Sequence, residues 1–189
     1  MKNFIKPIVM TLLGCLLLGA LGFTVYRYYQ QSGQVTEYLI ADHIEQLAQT
    51  FKKIDDDVEV QNIMRDKSYI DFLNVVSFTG SEIGSLNVAY PDRWKGPYMQ
   101  DNPTMQGKVY EIIKTREGYY IVPGEGVKLE NGKIIGKDIL FTYDTDMESL
   151  VNDTIGLEYQ RRPLIAPLSF KKHITSEAVT ASELSSIED

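Results

Sequence analysis

The chain has 189 residues, 43% of them apolar and 24% charged, with a formal net charge of −7. All 26 acidic residues but only 17 of the 19 basic ones lie beyond Tyr26, so the larger part carries a formal −9. That balance excludes the basic footprint that nucleic-acid binding requires and a polybasic lipid-binding face. Cys15 is the only cysteine, which excludes an internal disulfide and a cysteine metal site.

Residues 7–26 contain no charge, follow Lys2 and Lys6, and precede Arg27. About 20 apolar residues are enough for one helix to cross a bilayer. Three readings of this stretch stand: a retained signal anchor, a cleaved secretory signal with small residues at Ala20 and Gly22, and a loose lipobox at Leu12-Leu13-Gly14-Cys15. The length of the run favours the anchor. The basic N-terminal flank then leaves the N-terminus in the cytoplasm and the bulk outside, in the periplasm or at the cell surface. Residues 7–26 would contact inner-membrane lipid, and Tyr26, Tyr28 and Tyr29 suit the far interface.

Apolar residues then recur at steps of three and four through Val35, Tyr38, Leu39, Ile44, Leu47, Ala48, Phe51 and Ile54. The spacing predicts an amphipathic helix over 34–53, continuous or nearly so with the preceding segment, and ended by Asp55-Asp56-Asp57. A second helix is expected over 58–76, on the apolar side formed by Val60, Ile63, Met64, Ile70 and Leu73. Residues 77–84 read as a loop. Residues 90–98, dense in aromatics and prolines, read as a rigid packed loop. Strands are expected at 108–113 and 119–122 around Thr115-Arg116-Glu117-Gly118, at 127–130 and 133–135 around Asn131-Gly132, and at 139–143. Gly124-Glu125-Gly126 reads as a turn. The prolines of residues 163–168 favour an extended, packed segment, and the polar, acidic end reads as a frayed tail.

The order gives an α+β class: an N-terminal transmembrane helix continuing into an amphipathic stalk helix, then a small antiparallel β-sheet domain. Three parts are expected: a signal-anchor segment at 1–26, an extracytoplasmic α+β domain at 27–173, and an acidic tail at 174–189.

Asp92-Arg93-Trp94-Lys95-Gly96-Pro97-Tyr98 is similar to the Asp-Pro-Trp-Gly-x-Pro-Tyr loop of the type IV pilin superfamily, and the chain most resembles the pseudopilins of type II secretion systems. Val109-Tyr110-Glu111, Gly118-Tyr119-Tyr120-Ile121-Val122 and Gly124 resemble that family's first hairpin. The resemblance covers residues 90–143. It implies a long N-terminal helix with a small antiparallel sheet, and a structural role in protein transport rather than catalysis. The chain departs from the family in its leader: no Gly-Phe precedes the apolar run, and the run lacks the glutamate at its fifth position. Gly22-Phe23-Thr24-Val25 copies the start of that signal at the wrong end of the segment.

The expected function is a non-enzymatic, membrane-anchored, pilin-like subunit of a secretion or pilus-type assembly, with other pilin-like or envelope proteins as partners and Tyr38, Leu47, Phe51, Trp94 and Tyr98 as interaction residues. The alternative is a monomeric anchored binding or accessory domain of an envelope complex. Asp144, Asp146 and Glu148 alternate, a pattern that can wrap calcium, and the resemblance adds a calcium site near the end of the sheet. The sixth position from Asp144 is Ser149 where an EF-hand loop needs glycine, so a polar loop competes with that reading. His43 and His173 are the only histidines and stand far apart in the chain, which disfavours zinc.

Overall fold

The computed structural model describes the backbone of residues 2–152 and 157–171, and the side chains of 13–27, 36–150 and 157–171. The acidic tail at 174–189, His173, Asp153 and the side chains of Tyr28 and Tyr29 lie outside the described residues.

Helix α1 (Lys2–Val58) runs 57 residues, about 85 Å at 1.5 Å per residue. Its second half carries the expected stripe from Ile44 to Ile54, but Tyr38 and Leu39, expected on it, are exposed, and Ile40 stands in their place. Ile40, Ile44, Leu47, Phe51, Ile54 and Val58 are buried, at alternating steps of four and three that hold one face toward one side. Glu59 ends the helix with a left-handed backbone, φ 55°, the usual exit geometry. Carbonyls at this end find partners in the chain beyond β4: Tyr90 N–H donates to Val58 O at 3.0 Å and Ala89 N–H to Glu59 O at 2.9 Å.

The expectation of a membrane-spanning segment at 7–26 is corrected. Among the described residues, no helix is long and apolar enough to cross a membrane. The transmembrane fold description, the signal-anchor assignment and the single-pass location in the cytoplasmic membrane all rested on that segment and fall with it.

The expected single sheet is also corrected: the strands form four small sheets, and all their pairings are antiparallel. β1 (Val60–Ile63) and β2 (Lys67–Tyr69) occupy the region expected as a helix, β3 (Glu82–Ile83) lies in the expected loop, and β4 (Leu86–Val88) follows it. The spacing misleads because of a bulge. β1 pairs with β4 as Val60↔Val88 and Asn62↔Asn87, with a register shift between Val60 and Asn62. The extra residue turns both Val60 and Ile63 into the core, so a strand acquires a three-residue apolar step.

A 3-10 turn (Pro91–Arg93), the hairpin β5 (Thr104–Met105) with β6 (Lys108–Val109), and the hairpin β7 (Glu111–Thr115) with β8 (Gly118–Val122) follow. After these come the short α2 (Met147–Asn152), the hairpin β9 (Glu158–Tyr159) with β10 (Arg162–Pro163), and β11 (Ala166–Leu168). The largest sheet has the order β11-β8-β7-β2. Pro167 is tolerated in β11 because that strand is an edge, where a missing N–H costs no ladder bond. In β7, Glu111, Ile112 and Ile113 are consecutive and all buried, so the strand is covered on both faces.

Residues 127–139 make isolated bridges, Lys128↔Ile134 and Ile135↔Ile139, in place of the expected strands. Asp138 diverts the Ile134 N–H to its own carboxylate at 2.9 Å, and Gly136 takes φ 81°. The segment closes into a knot of turns that pushes Val127, Leu129, Ile135 and Ile139 into the core.

The α1 stripe is thus the spine of the core. Leu47→Ala should lower unfolding stability by about 3 kcal/mol through the cavity it leaves. Tyr38→Ala, one turn pair away on the exposed face, should change it by under about 1 kcal/mol. Urea denaturation of the two variants checks the contrast.

Candidate functional site

The first half of α1 presents Leu13, Leu16, Leu17, Leu18, Leu21, Phe23, Val25 and Tyr26 to solvent, Leu18 at 72% exposure. Leu16, Leu17 and Leu18 are consecutive and lie 100° apart around the axis, so the apolar surface is not a stripe. Thr24 turns its hydroxyl back to Ala20 O at 2.8 Å, and the Arg27 guanidinium sits 5.6 Å from the Phe23 ring centre. Both side chains spend their polar groups on their own helix. This segment is apolar all round and bare, a condition found in helices that are surrounded by partners.

The body grips α1 from Glu37 onward. Glu37 is buried, and its carboxylate accepts the Glu130 N–H at 3.0 Å. Burial pushes its pKa up and the nearby Glu130 charge adds to this, while the bond from the Glu130 N–H acts the other way. One turn and a half later, His43 Nδ1 meets the hydroxyl of fully buried Tyr110 at 3.0 Å, and burial holds the imidazole pKa down.

The last turn of α1 is fastened by three consecutive carboxylates. Asp55 is 2% exposed. One of its oxygens accepts the Val60 N–H at 2.9 Å and the other the Lys171 N–H at 2.8 Å. Asp56 pairs with the Lys171 ammonium at 2.6 Å. Asp57 binds the Lys95 ammonium and accepts the Tyr98 hydroxyl at 2.9 Å. The run expected to end the helix therefore ties α1 to three other parts: β1, the 90–98 loop and the segment after β11. In that loop Trp94 donates its indole N–H to Val75 O at 3.0 Å. Its ring stands edge-on to both Phe78 and Tyr98, at 5.2 and 4.7 Å. Burial alone would raise the Asp57 pKa, but the hydrogen bonds from Lys95 and Tyr98 outweigh it and hold the carboxyl below its ordinary value.

The five residues expected to mediate interactions separate into three groups. Leu47 and Phe51 are buried in the core, Phe51 edge-on to Phe72 at 6.1 Å. Trp94 and Tyr98 are half-buried in the loop plug. Tyr38 is 51% exposed, under the guanidinium of Arg162 at 5.8 Å. Arg162 also reaches Glu45 at 2.9 Å and Asp42 at 3.6 Å. Sequence reasoning missed Arg162 as a fastener. Its one trace in the sequence was the Arg-Arg-Pro triplet.

Asp144, Asp146 and Glu148 do not converge. Asp144 pairs with Arg116 at 2.6 Å. Asp146 caps α2 by accepting the Ser149 N–H at 2.9 Å, a role carboxylates fill at helix starts. Among the described residues, no group of three or more His, Cys, Asp or Glu is arranged to hold a metal ion.

Two open clefts accompany these features. One, of about 310 Å³, lies between α1 and the segment after β11, beside Phe51, Asp55, Pro167 and Phe170. The other, of about 410 Å³, is lined by Tyr69, Asp71, Lys108, Glu111 and Glu125. Lys67 bridges two of these residues, buried Glu111 and exposed Glu125, at 3.1 Å each. No protein-family model, no curated protein and no solved structure matches this chain.

The Asp57 tie has a definite pH signature. Its carboxyl pKa is lowered on folding, so its contribution is present above the ordinary value of 3.8 and is lost as pH falls through the lower folded value. Asp57→Asn should cost about 1–2 kcal/mol at neutral pH, as loss of a charge-assisted hydrogen bond does. The gap to the parent chain should close below pH 3.8. Thermal melts of both proteins across that range test this.

Proposed function

We propose that the chain is a non-catalytic, pilin-like structural subunit that assembles side by side through the first half of α1. The observation that carries this reading is the bare, all-round apolar surface of residues 13–26. A helix packed in a pair hides one face. A helix with consecutive exposed leucines needs neighbours on several sides, which copies of the same helix in a bundle or filament supply. The single unbroken α1, the antiparallel hairpin β7–β8 and the packed 90–98 loop support the pilin-like part of the reading, because the pilin superfamily combines these features. The −9 charge of the larger part would keep the bodies soluble and apart, leaving the helices as the adhesive element.

A second reading, a monomeric accessory domain that binds a ligand, is favoured by the cleft beside Tyr69 and Glu111. Sedimentation velocity and negative-stain microscopy of the full chain separate the two. Assembly predicts discrete higher-order species or filaments. Leu17→Glu combined with Leu21→Glu should return the chain to monomers while shifting the melt of the body by under about 0.5 kcal/mol, as changes on an exposed surface do. A full chain that is monomeric without substitution overturns the assembly reading and leaves the second.

A further inference from the structure

The chain builds the same kind of tight turn twice, and only one copy is explained by internal contacts. In β5–β6, Met105 pairs with Lys108, leaving Gln106-Gly107 as a two-residue loop with φ values of 51° and 72°. In β9–β10, Tyr159 pairs with Arg162, leaving Gln160-Arg161 with φ values of 50° and 67°. Positive φ at both central residues is the mark of a type I′ turn, whose preferred pair is Asn-Gly. An ordinary L residue in that conformation costs about 1–2 kcal/mol.

The first turn meets the cost in two ways. It places glycine at the second position, and the Gln106 side chain makes two hydrogen bonds to the Lys128 backbone, at 2.9 and 3.0 Å. The second turn does neither. Arg161 has a full side chain in the left-handed region. Gln160 bonds only to the hydroxyl of its neighbour Tyr159, at 3.0 Å. Among the described residues Arg161 has no ion-pair partner and is exposed.

The hairpin is nonetheless fixed in place. Arg162 clamps it to Glu45, Asp42 and Tyr38 of α1. Leu157 and Leu164, at its two ends, are fully buried and joined by a backbone hydrogen bond of 2.9 Å. A strained turn that is rigidly held and carries two exposed hydrogen-bond donors points to a contact outside the chain. The turn sits at the neck, against the stretch of α1 where the body begins and the bare helix departs. Neighbouring copies bundled through that helix would pass close to it.

We infer that the Gln160-Arg161 turn is a docking contact, at which one copy's neck holds a carboxylate on the acidic body of a second copy. The partner follows from charge: a guanidinium with no ion-pair partner among the described residues meets a second copy whose chain beyond Tyr26 carries a formal −9, and Arg binds carboxylates with two parallel donors. This inference rests on the assembly reading and adds a specific polar contact to its apolar one.

The experiment uses the full chain and two variants, followed by thermal melts and by light scattering against protein and salt concentration. Gln160→Asn with Arg161→Gly installs the preferred turn. It should raise the melting temperature by about 4 °C or more yet raise the concentration needed for assembly about tenfold. Arg161→Glu keeps the strain and reverses the charge, and should weaken assembly at least as much with no gain in melting temperature. Arg161→Lys, which keeps the charge but loses the paired donors, should assemble at a concentration between those of the parent and Arg161→Glu. If the turn-relieved variant melts higher but assembles at the parent's concentration, the docking contact is wrong while bundling through α1 stands. If it melts no higher, the turn is not strained and the inference loses its premise. If the unsubstituted chain never assembles, the functional reading fails, and the contact fails with it.

Discussion

The two hydrogen bonds accepted by the Asp55 carboxylate fix the geometry of the whole body. One comes from the first residue of β1 and the other from Lys171, beyond β11. A carboxylate buried at 2% exposure is tolerable only when its oxygens are occupied, so the chain on both sides must stay in register with the end of α1. That condition sets where β1 starts after the left-handed Glu59. It also sets where the last described segment lies along the helix, which brings β11 onto the edge of β8. Asp57 then adds the 90–98 loop to the same turn through Lys95 and Tyr98.

From this fastening the body grows as small sheets around one helix stripe. None of the sheets is large, and two consist of a single hairpin. A two-stranded ribbon is marginal by itself, so each must be pinned by something else. The β5–β6 pair is pinned by Gln106 on Lys128, and the β9–β10 pair by Arg162 on α1. The side chains outside the regular elements therefore matter here as much as the ladders do.

Much of this was legible in the sequence, for reasons that can be stated residue by residue. The α1 stripe was readable because a steady three-and-four step has one physical cause. The β7–β8 hairpin was readable because Gly118 follows a run of β-branched residues. The prolines of 163–168 pointed to an extended segment, which is packed through Leu164 and Ile165 while Pro163 and Pro167 are exposed. Val60 and Ile63 misled because a bulge moves two residues of a strand to one side, and bulges leave no mark in apolar spacing. Residues 133–135 misled because Asp138 captures the Ile134 N–H, a backbone donor that a ladder would have used. The membrane assignment rested on composition over 20 residues, and among the described residues no helix is long and apolar enough to cross a membrane. Of the candidate interaction residues, Leu47 and Phe51 face inward because they belong to the same stripe as Ile40 and Ile44. The pattern that marked them as apolar could not tell a partner's surface from the chain's own.

The two halves of α1 set opposing physical demands on one rigid rod. The second half satisfies its apolar face within the chain, and the large apolar side chains of 13–26 stay exposed among the described residues. An acidic body resists close approach of copies by charge repulsion, which is screened beyond about 8 Å at physiological salt. The bare helix favours approach through non-directional apolar burial. Apolar contact alone would set no axial register between parallel helices, because leucines on every side fit many offsets. A polar contact placed at the neck, where the rod meets the body, supplies the missing direction: it is short-ranged, requires one offset, and discriminates among the alignments that the apolar surface would accept equally. A strained turn held rigid by Arg162 suits that task better than a relaxed, mobile one, since little further ordering is needed when the contact forms.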